Sequence, residues 1–217
     1  MRRPMIILGS SGLAREMAML AEQINARWHR WKILGFIGAS ASEVGNDLGL
    51  APVLGDDAWL LAQEIEADLV VGIGYPSVKA RVVQKYLGQA SRFEFPNLVH
   101  PLSSLDFRRI EMGRGNIVTA GCQFTCDIEV GDFNLFNLNV TVGHDARIGD
   151  FNVFNPGVNV SGSVVVGDRV LVGTGCQILE RLEVGDGATL GAGAVVTKPV
   201  QPGMTVVGVP ARPLAGK

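Results

Sequence analysis

The stretch VGDFNLFNLNVTVGHDARIGDFNVFNPGVNV, residues 130–160, puts an apolar side chain at every sixth position: Val130, Phe136, Val142, Ile148, Phe154 and Val160. Followed outward, the same step begins at Met112, passes Val118 and Phe124, and continues through Val166, Val172, Ile178, Val184 and Leu190 to Val196. No insertion breaks it. A period of six is neither the 3.6 of a helix nor the 2 of a plain strand. Six residues do make one short strand and a turn, with one large apolar side chain pointing inward. Three such units close a triangular coil of eighteen residues, and the whole run makes about five coils stacked at roughly 4.8 Å, the spacing of hydrogen-bonded strands. Each coil buries its neighbour's face, so only the stack has a core. The expected fold of residues 105–217 is therefore a left-handed parallel β-helix with a C-terminal tail. Glycine often follows the inward residue, as at Gly113, Gly131, Gly143, Gly149, Gly167, Gly173, Gly185 and Gly191. These are read as the residues that open each corner through backbone angles other residues avoid.

Residues 1–104 follow a different grammar. Met5–Leu8 reads as a buried strand, Gly9-Ser10-Ser11-Gly12 as a turn and 13–26 as a helix. Strands are expected at 33–37, 53–54 and 68–73, and helices at 56–65, opened by an Asp cap, and at 76–87 with proline near its start. Alternating strands and helices give a small Rossmann-like parallel α/β sheet. The stretch 91–110 is expected to link the two units.

Composition narrows the function classes. Of 217 residues 28 are glycine, nearly twice the usual ~7%. With 47% hydrophobic and only 18% charged residues, disorder is excluded. Nineteen Lys and Arg against 21 Asp and Glu leave a net charge of −2, which offers no basic field for nucleic acid. The cluster Arg27-Trp28-His29-Arg30-Trp31-Lys32 reads as a solvated helix end with its tryptophans packed on the domain. No apolar run is long enough to span a membrane, and the N-terminus runs into a glycine loop rather than a cleavable signal, so a cytoplasmic protein is expected. Three cysteines, Cys122, Cys126 and Cys176, form no disulfide framework and read as small buried side chains.

Two places could carry chemistry. The Gly9-Ser10-Ser11-Gly12 turn follows a strand and opens a helix, where backbone N–H groups can receive a phosphate. It lacks the spacing of a dinucleotide fingerprint, and the second strand runs into Gly38-Ala39-Ser40 without an acidic residue. The other place is His144, the histidine well inside the repeat. Asp145 follows it at once, and a carboxylate beside an imidazole fixes the tautomer a general base needs. Asn137, Asn139 and Asn155 are expected to complete a polar island around it. Zinc enzymes of similar coil architecture gather three histidines on the metal, and a single coil histidine cannot do so, so no metal is expected.

With these residues in hand, the chain resembles the bacterial hexapeptide-repeat sugar acetyltransferases. That group includes the N-acetyltransferases of nucleotide-linked 4-amino sugars and the sialic-acid O-acetyltransferase-like proteins. The resemblance rests on Gly9-Ser10-Ser11-Gly12, Val99-His100-Pro101, Val142-Gly143-His144-Asp145-Ala146-Arg147-Ile148-Gly149-Asp150, Leu190 to Val196, and Val207-Gly208-Val209-Pro210-Ala211-Arg212, in the family's order. It implies a homotrimer with active sites between neighbouring subunits and acetyl-CoA in the groove between two coils. The α/β domain would hold the nucleotide of a sugar-nucleotide acceptor. His144 matches the family's base, Asp145 its acidic partner and Asn137 a substrate-contacting asparagine. Gly9, Ser10, Ser11, Gly12 and Leu13 fall in the phosphate–sugar loop. Gly162, Thr174 and Ala192 align with coenzyme A contacts.

Departures concentrate in the α/β half. Leu13 stands where the family commonly has histidine, Gly38-Ala39 where it has acids that bind the base, and Ile73-Gly74-Tyr75-Pro76 where an Asn/Asp-Asn pair is usual. Val153 replaces a second coil histidine of some members. Three readings stand at this point. The leading one is an acetyl-CoA-dependent N-acetyltransferase of an amino-deoxy sugar nucleotide for surface-glycan synthesis. The others are an O-acetyltransferase of a sugar or related small molecule, and a non-catalytic trimeric scaffold.

Overall fold

A computed structural model describes residues 2–89 and 92–214. The chain divides into two compact units, residues 1–74 with 78–101 and residues 75–77 with 102–217.

The first unit is a parallel sheet with helices α1 (Gly12–Trp28), α2 (Asp57–Ala62) and α3 (Pro76–Leu87) between its strands. The strands are β1 (Arg3–Leu8), β2 (Trp31–Ile37), β3 (Val53–Gly55), β4 (Ala67–Val71) and β5 (Phe93–Glu94), in the order β3-β2-β1-β4-β5. Met5, Ile6, Ile7 and Leu8 are fully buried in the central strand, each worth about 1.5–3 kcal/mol on transfer from water. Gly72, just past β4, permits the close approach of α1: a Cβ there would lie 2.5 Å from the Ala14 Cα. Asp56 caps α2 by accepting from the Trp59 N–H at 2.9 Å, but the helix stops at Ala62 because Gln63 adopts extended backbone. Phe93-Glu94, expected as linker, instead pairs with Ala67-Asp68 and extends the sheet. In the basic–aromatic cluster Trp31 is buried and donates to Asp68 at 2.7 Å, whereas Trp28 remains half-exposed.

The second unit is the coil. Three sheets of short, mostly parallel strands run along it, and from Ile110 to Val196 each strand pairs with the one eighteen residues on. Past there Thr205–Val207 pairs sixteen residues after Thr189–Leu190, and Arg212–Pro213 adds antiparallel. The first face holds Ile110–Met112, Ile128–Val130, Arg147–Ile148, Val165–Val166 and Glu183–Val184. The second begins at Ile117–Val118 and the third at Gln123–Phe124. Every residue of the period-six series lies in one of these strands, and all but the half-buried Met112 are buried. Phe136 stacks on Phe154 with ring centroids 5.0 Å apart. Cys122 and Cys176 are buried as expected, while Cys126 is only half-buried.

The glycines after the inward residues have another task than the one expected. None of them takes positive φ. The left-handed residue comes two positions later, at Asp127, Phe133, Asn139, Asp145 and Phe151 among others, with φ between 57° and 59°. The earlier glycines are there for clearance: a Cβ on Gly131 would lie 2.1 Å from Asp150 Oδ1 and 2.9 Å from the Gly149 carbonyl oxygen of the next coil.

Candidate active site

The coil has three rows of corners. Residues 113–115, 131–133, 149–151, 167–169 and 185–187 form the first row; 119–121, 137–139, 155–157, 173–175 and 191–193 the second; 125–127, 143–145, 161–163 and 179–181 the third. His144 and Asp145 stand in the third row, both exposed. The His144 Nδ1 and Asp145 Oδ2 are 2.6 Å apart. With a carboxylate as acceptor, Nδ1 carries the proton and Nε2 keeps its lone pair free to take one. At 64% and 60% side-chain exposure this pair adds little stability. Its effect is orientation. Asp145 reaches the ring because its own φ of 58° turns the chain there, and its N–H donates to the Cys126 carbonyl of the preceding coil at 3.2 Å.

Gly162 occupies the matching position one coil on. The His144 ring lies against it: a Cβ on Gly162 would be 2.7 Å from both Cε1 and Nε2. The Gly162 carbonyl accepts from the Arg181 N–H at 3.1 Å, while its own N–H has no acceptor among the described residues. One coil before His144, Arg109 clamps Asp127 with two hydrogen bonds of 2.8 and 2.5 Å. That guanidinium holds the Asp127 carboxyl below the usual carboxylate range.

None of the three asparagines of the expected polar island stands in the corner row of the histidine. Asn137, Asn139 and Asn155 lie in the second corner row, one strand away, where the Asn137 Oδ1 accepts from the Leu138 N–H at 2.8 Å. Thr174 and Ala192 stand in that same second row, exposed, on successive coils joined by the Gly193 N–H to Thr174 carbonyl bond of 2.8 Å. A groove of about 600 Å³ runs along the first face between Glu111, Glu129, Arg147 and Val165 and does not include His144. Among the described residues no group of three or more His, Cys, Asp or Glu is placed to hold a metal ion. No described helix is long and apolar enough to cross a membrane.

In the α/β unit, Gly9 takes φ 112° at the end of β1, and a Cβ there would lie 2.9 Å from the Gly72 carbonyl oxygen. Ser11 is the N-cap of α1 but makes no side-chain cap bond, and the first turn holds no acidic residue. Gly12 and Ser11 are exposed, Ser10 and Leu13 half-buried. The loop thus offers uncapped N–H groups of the kind that receive an anion. The acidic residue that the sequence after β2 did not reveal is Glu43, from the short 3-10 turn Ala41–Glu43. Its Oε1 accepts from the Ala39 N–H at 3.0 Å and its Oε2 from the Ser10 hydroxyl, which brings a carboxylate to the edge of the loop. Gly38 makes room, since a Cβ there would already be 3.1 Å from the Glu43 Cβ. The signal was present in Ser40-Ala41-Ser42-Glu43, the spacing of a capping box.

The fold and its solved neighbours are those of acyltransferases built on hexapeptide repeats. Residues 4–86 match the PglD N-terminal domain and residues 163–198 the bacterial transferase hexapeptide (six repeats), so the chain carries both modules of the sugar acetyltransferases it resembles. A histidine variant of perosamine N-acetyltransferase from Caulobacter crescentus, solved with CoA and GDP-perosamine, superposes with a TM-score of 0.86 at 26% identity, over 98% of this chain and 97% of that one. The acetyltransferase domain of PglB from Neisseria gonorrhoeae, in complex with acetyl coenzyme A, gives 0.87 at 28%, over 99% and 100%. WeeI from Acinetobacter baumannii gives 0.84 at 27%, over 97% and 100%. No curated protein sequence matches the chain.

Proposed function

We propose that the protein transfers acetyl from acetyl-CoA to the amino group of an amino-deoxy sugar carried on a nucleotide, with His144 as general base. One arrangement carries this reading: an exposed imidazole held through Nδ1 by Asp145, its ring against Gly162, whose N–H has no acceptor among the described residues. In the direct-attack mechanism Nε2 takes the proton as the acceptor nitrogen bonds to the thioester carbonyl carbon. The Gly162 N–H meets the oxygen as it gains charge. Collapse breaks the carbon–sulfur bond, and the imidazolium returns its proton to the departing sulfur. Asp145 stabilises the imidazolium in between. Gly162, Thr174 and Ala192 would hold the coenzyme along the corners, with Asn137 and Asn139 toward the acceptor.

The nucleotide part of the reading is supported by the α/β unit. The Gly9–Leu13 loop offers N–H groups to a phosphate, and Glu43 brings a carboxylate to the edge of that loop. The neighbour from Caulobacter crescentus, with GDP-perosamine bound, supports the same class of acceptor. The working assembly is a homotrimer in the cytoplasm, a reading supported by the resemblance and by the three free cysteines. Light scattering at micromolar concentration should give three times the chain mass.

The decisive experiment offers acetyl-CoA with a panel of UDP-, GDP-, dTDP- and CMP-linked 4-amino sugars, each beside its 4-hydroxy counterpart. Turnover of an amino sugar nucleotide that disappears in His144→Ala supports the reading. Turnover of hydroxyl acceptors alone would transfer it to O-acetylation, and activity unchanged in His144→Ala would remove the base.

A further inference from the structure

The middle residue of the third corner row reads Cys126, His144, Gly162, Glu180 on successive coils. Only the position directly after the histidine lacks a side chain. Backbone conformation does not require that glycine, since Gly162 is not among the positive-φ residues. Its nearest neighbours also differ from those of the other corner glycines. For Gly143 and Gly173 an added Cβ would meet backbone of the next coil, at 2.6 Å from the Gly162 N and 2.4 Å from the Ala192 N. For Gly162 the three nearest atoms are all in the imidazole: Cε1 and Nε2 at 2.7 Å and Cδ2 at 3.2 Å. The clearance there serves the ring.

We infer that Gly162 is a positioning residue for the base: its bare Cα is the shelf on which the His144 ring lies while Nδ1 stays on Asp145. The inference rests on the reading of His144 as base and adds a role separate from any coenzyme contact at Gly162. A methyl group on this shelf meets the free end of an exposed side chain, so the ring yields and the coil does not. Turning the ring away breaks the 2.6 Å bond to Asp145 and carries Nε2 off its line of attack.

The test is a thermal double-mutant cycle of Gly162→Ala and His144→Ala, joined to imidazole ¹⁵N spectra and turnover. Gly162→Ala should keep the Tm of the parent, lose the Nδ1-protonated tautomer of His144, and lower kcat by about 10²-fold, the scale of an ångström of misplacement. Should Gly162→Ala lower the Tm, that loss should vanish in the His144→Ala background, where no ring competes for the space. An equal loss in both backgrounds would mean that the methyl meets the coil itself, and the inference falls. An unchanged tautomer with kcat intact overturns it as well, and so does a loss confined to the KM for acetyl-CoA. If His144→Ala is itself fully active, the base reading has failed instead, and the two failures are told apart.

Discussion

The first and third corner rows turn the same backbone with the same left-handed residue, yet they use their side chains oppositely. In the first row the Asp132, Asp150, Asp168 and Asp186 carboxylates each reach back one coil. Each Oδ1 accepts a backbone N–H of that coil: Arg114 at 2.8 Å, Asp132 at 2.7 Å, Asp150 at 2.8 Å and Asp168 at 2.9 Å. Phe133 and Phe151 stack beside them with centroids 5.0 Å apart. In the third row the side-chain link from Arg109 to Asp127 lies one coil before His144. Around His144 the coils are joined by backbone bonds, from Asp145 to Cys126, Ser163 to His144 and Arg181 to Gly162. Side chains there are released from stacking. Chemistry can occupy the His144 corner because backbone bonds, not its side chains, join the coils there.

The strongest attempt to break this division is His144→Ala. A general base contributes about 10²–10⁴-fold, so turnover should fall near a thousandfold, about 4 kcal/mol of barrier, with Tm unchanged because the residue is exposed. A Tm loss of several degrees would show that the third row stacks through its side chains after all. Gly149→Ala is the counterpart in the first row. Its Cβ would meet the Gly167 carbonyl at 2.9 Å and Asp168 Oδ1 at 2.3 Å, and the carbonyl cannot swing aside. Chemical denaturation should report a loss of about 2–3 kcal/mol, as overpacking does, with kcat per folded molecule preserved.

Much of this was legible because the repeat enforces it. Val142, Phe154 and Val172 announce their own burial by their spacing, and Pro76 and Asp56 mark helix starts by local chemistry that tertiary contacts need not override. The site was half legible. His144 and Asp145 are neighbours in sequence, so their pairing could be read directly. Gly162 meets the ring only through the eighteen-residue stacking of coils, and Asn137 is near His144 in sequence but on another corner. Glu43 was not legible for a related reason: it lies beyond the end of β2 and returns to Ser10 and Ala39 through a short turn. The clearance role of Gly131 and Gly149 was hidden too, since a sequence does not distinguish a glycine chosen for φ from one chosen for space.

Two conservative changes sharpen the division further. Asp145→Asn keeps an acceptor for Nδ1 but removes the charge opposite the imidazolium. Turnover should drop roughly ten- to a hundredfold, below the ~10⁴ of a buried triad, because solvent screens a carboxylate this exposed; steady-state kinetics beside a melting curve reads both quantities. Asp150→Ala instead strands the Asp132 N–H and should cost about 1–2 kcal/mol in denaturation midpoints, leaving turnover intact.

The smallest effect belongs to Arg109→Gln, the one change that tests whether a third-row ion pair matters to the stack. Arg109 donates to both oxygens of Asp127, and the carboxyl is held below its ordinary range chiefly by that hydrogen bond. A folded value below the unfolded ~3.9 means that the pair stabilises the fold at and above that pH, and that its contribution disappears as pH falls through the depressed folded value. Arg109→Gln should therefore lower the Tm slightly at pH 7, and the gap to the parent should close as the buffer is taken from pH 5 toward pH 3. Both side chains are about half-exposed, so the gap at pH 7 should be smaller than the one produced by Asp150→Ala. A gap as large, persisting at pH 3, would mean that Arg109 holds the coil through packing rather than charge, and the third row would then be as structural as the first.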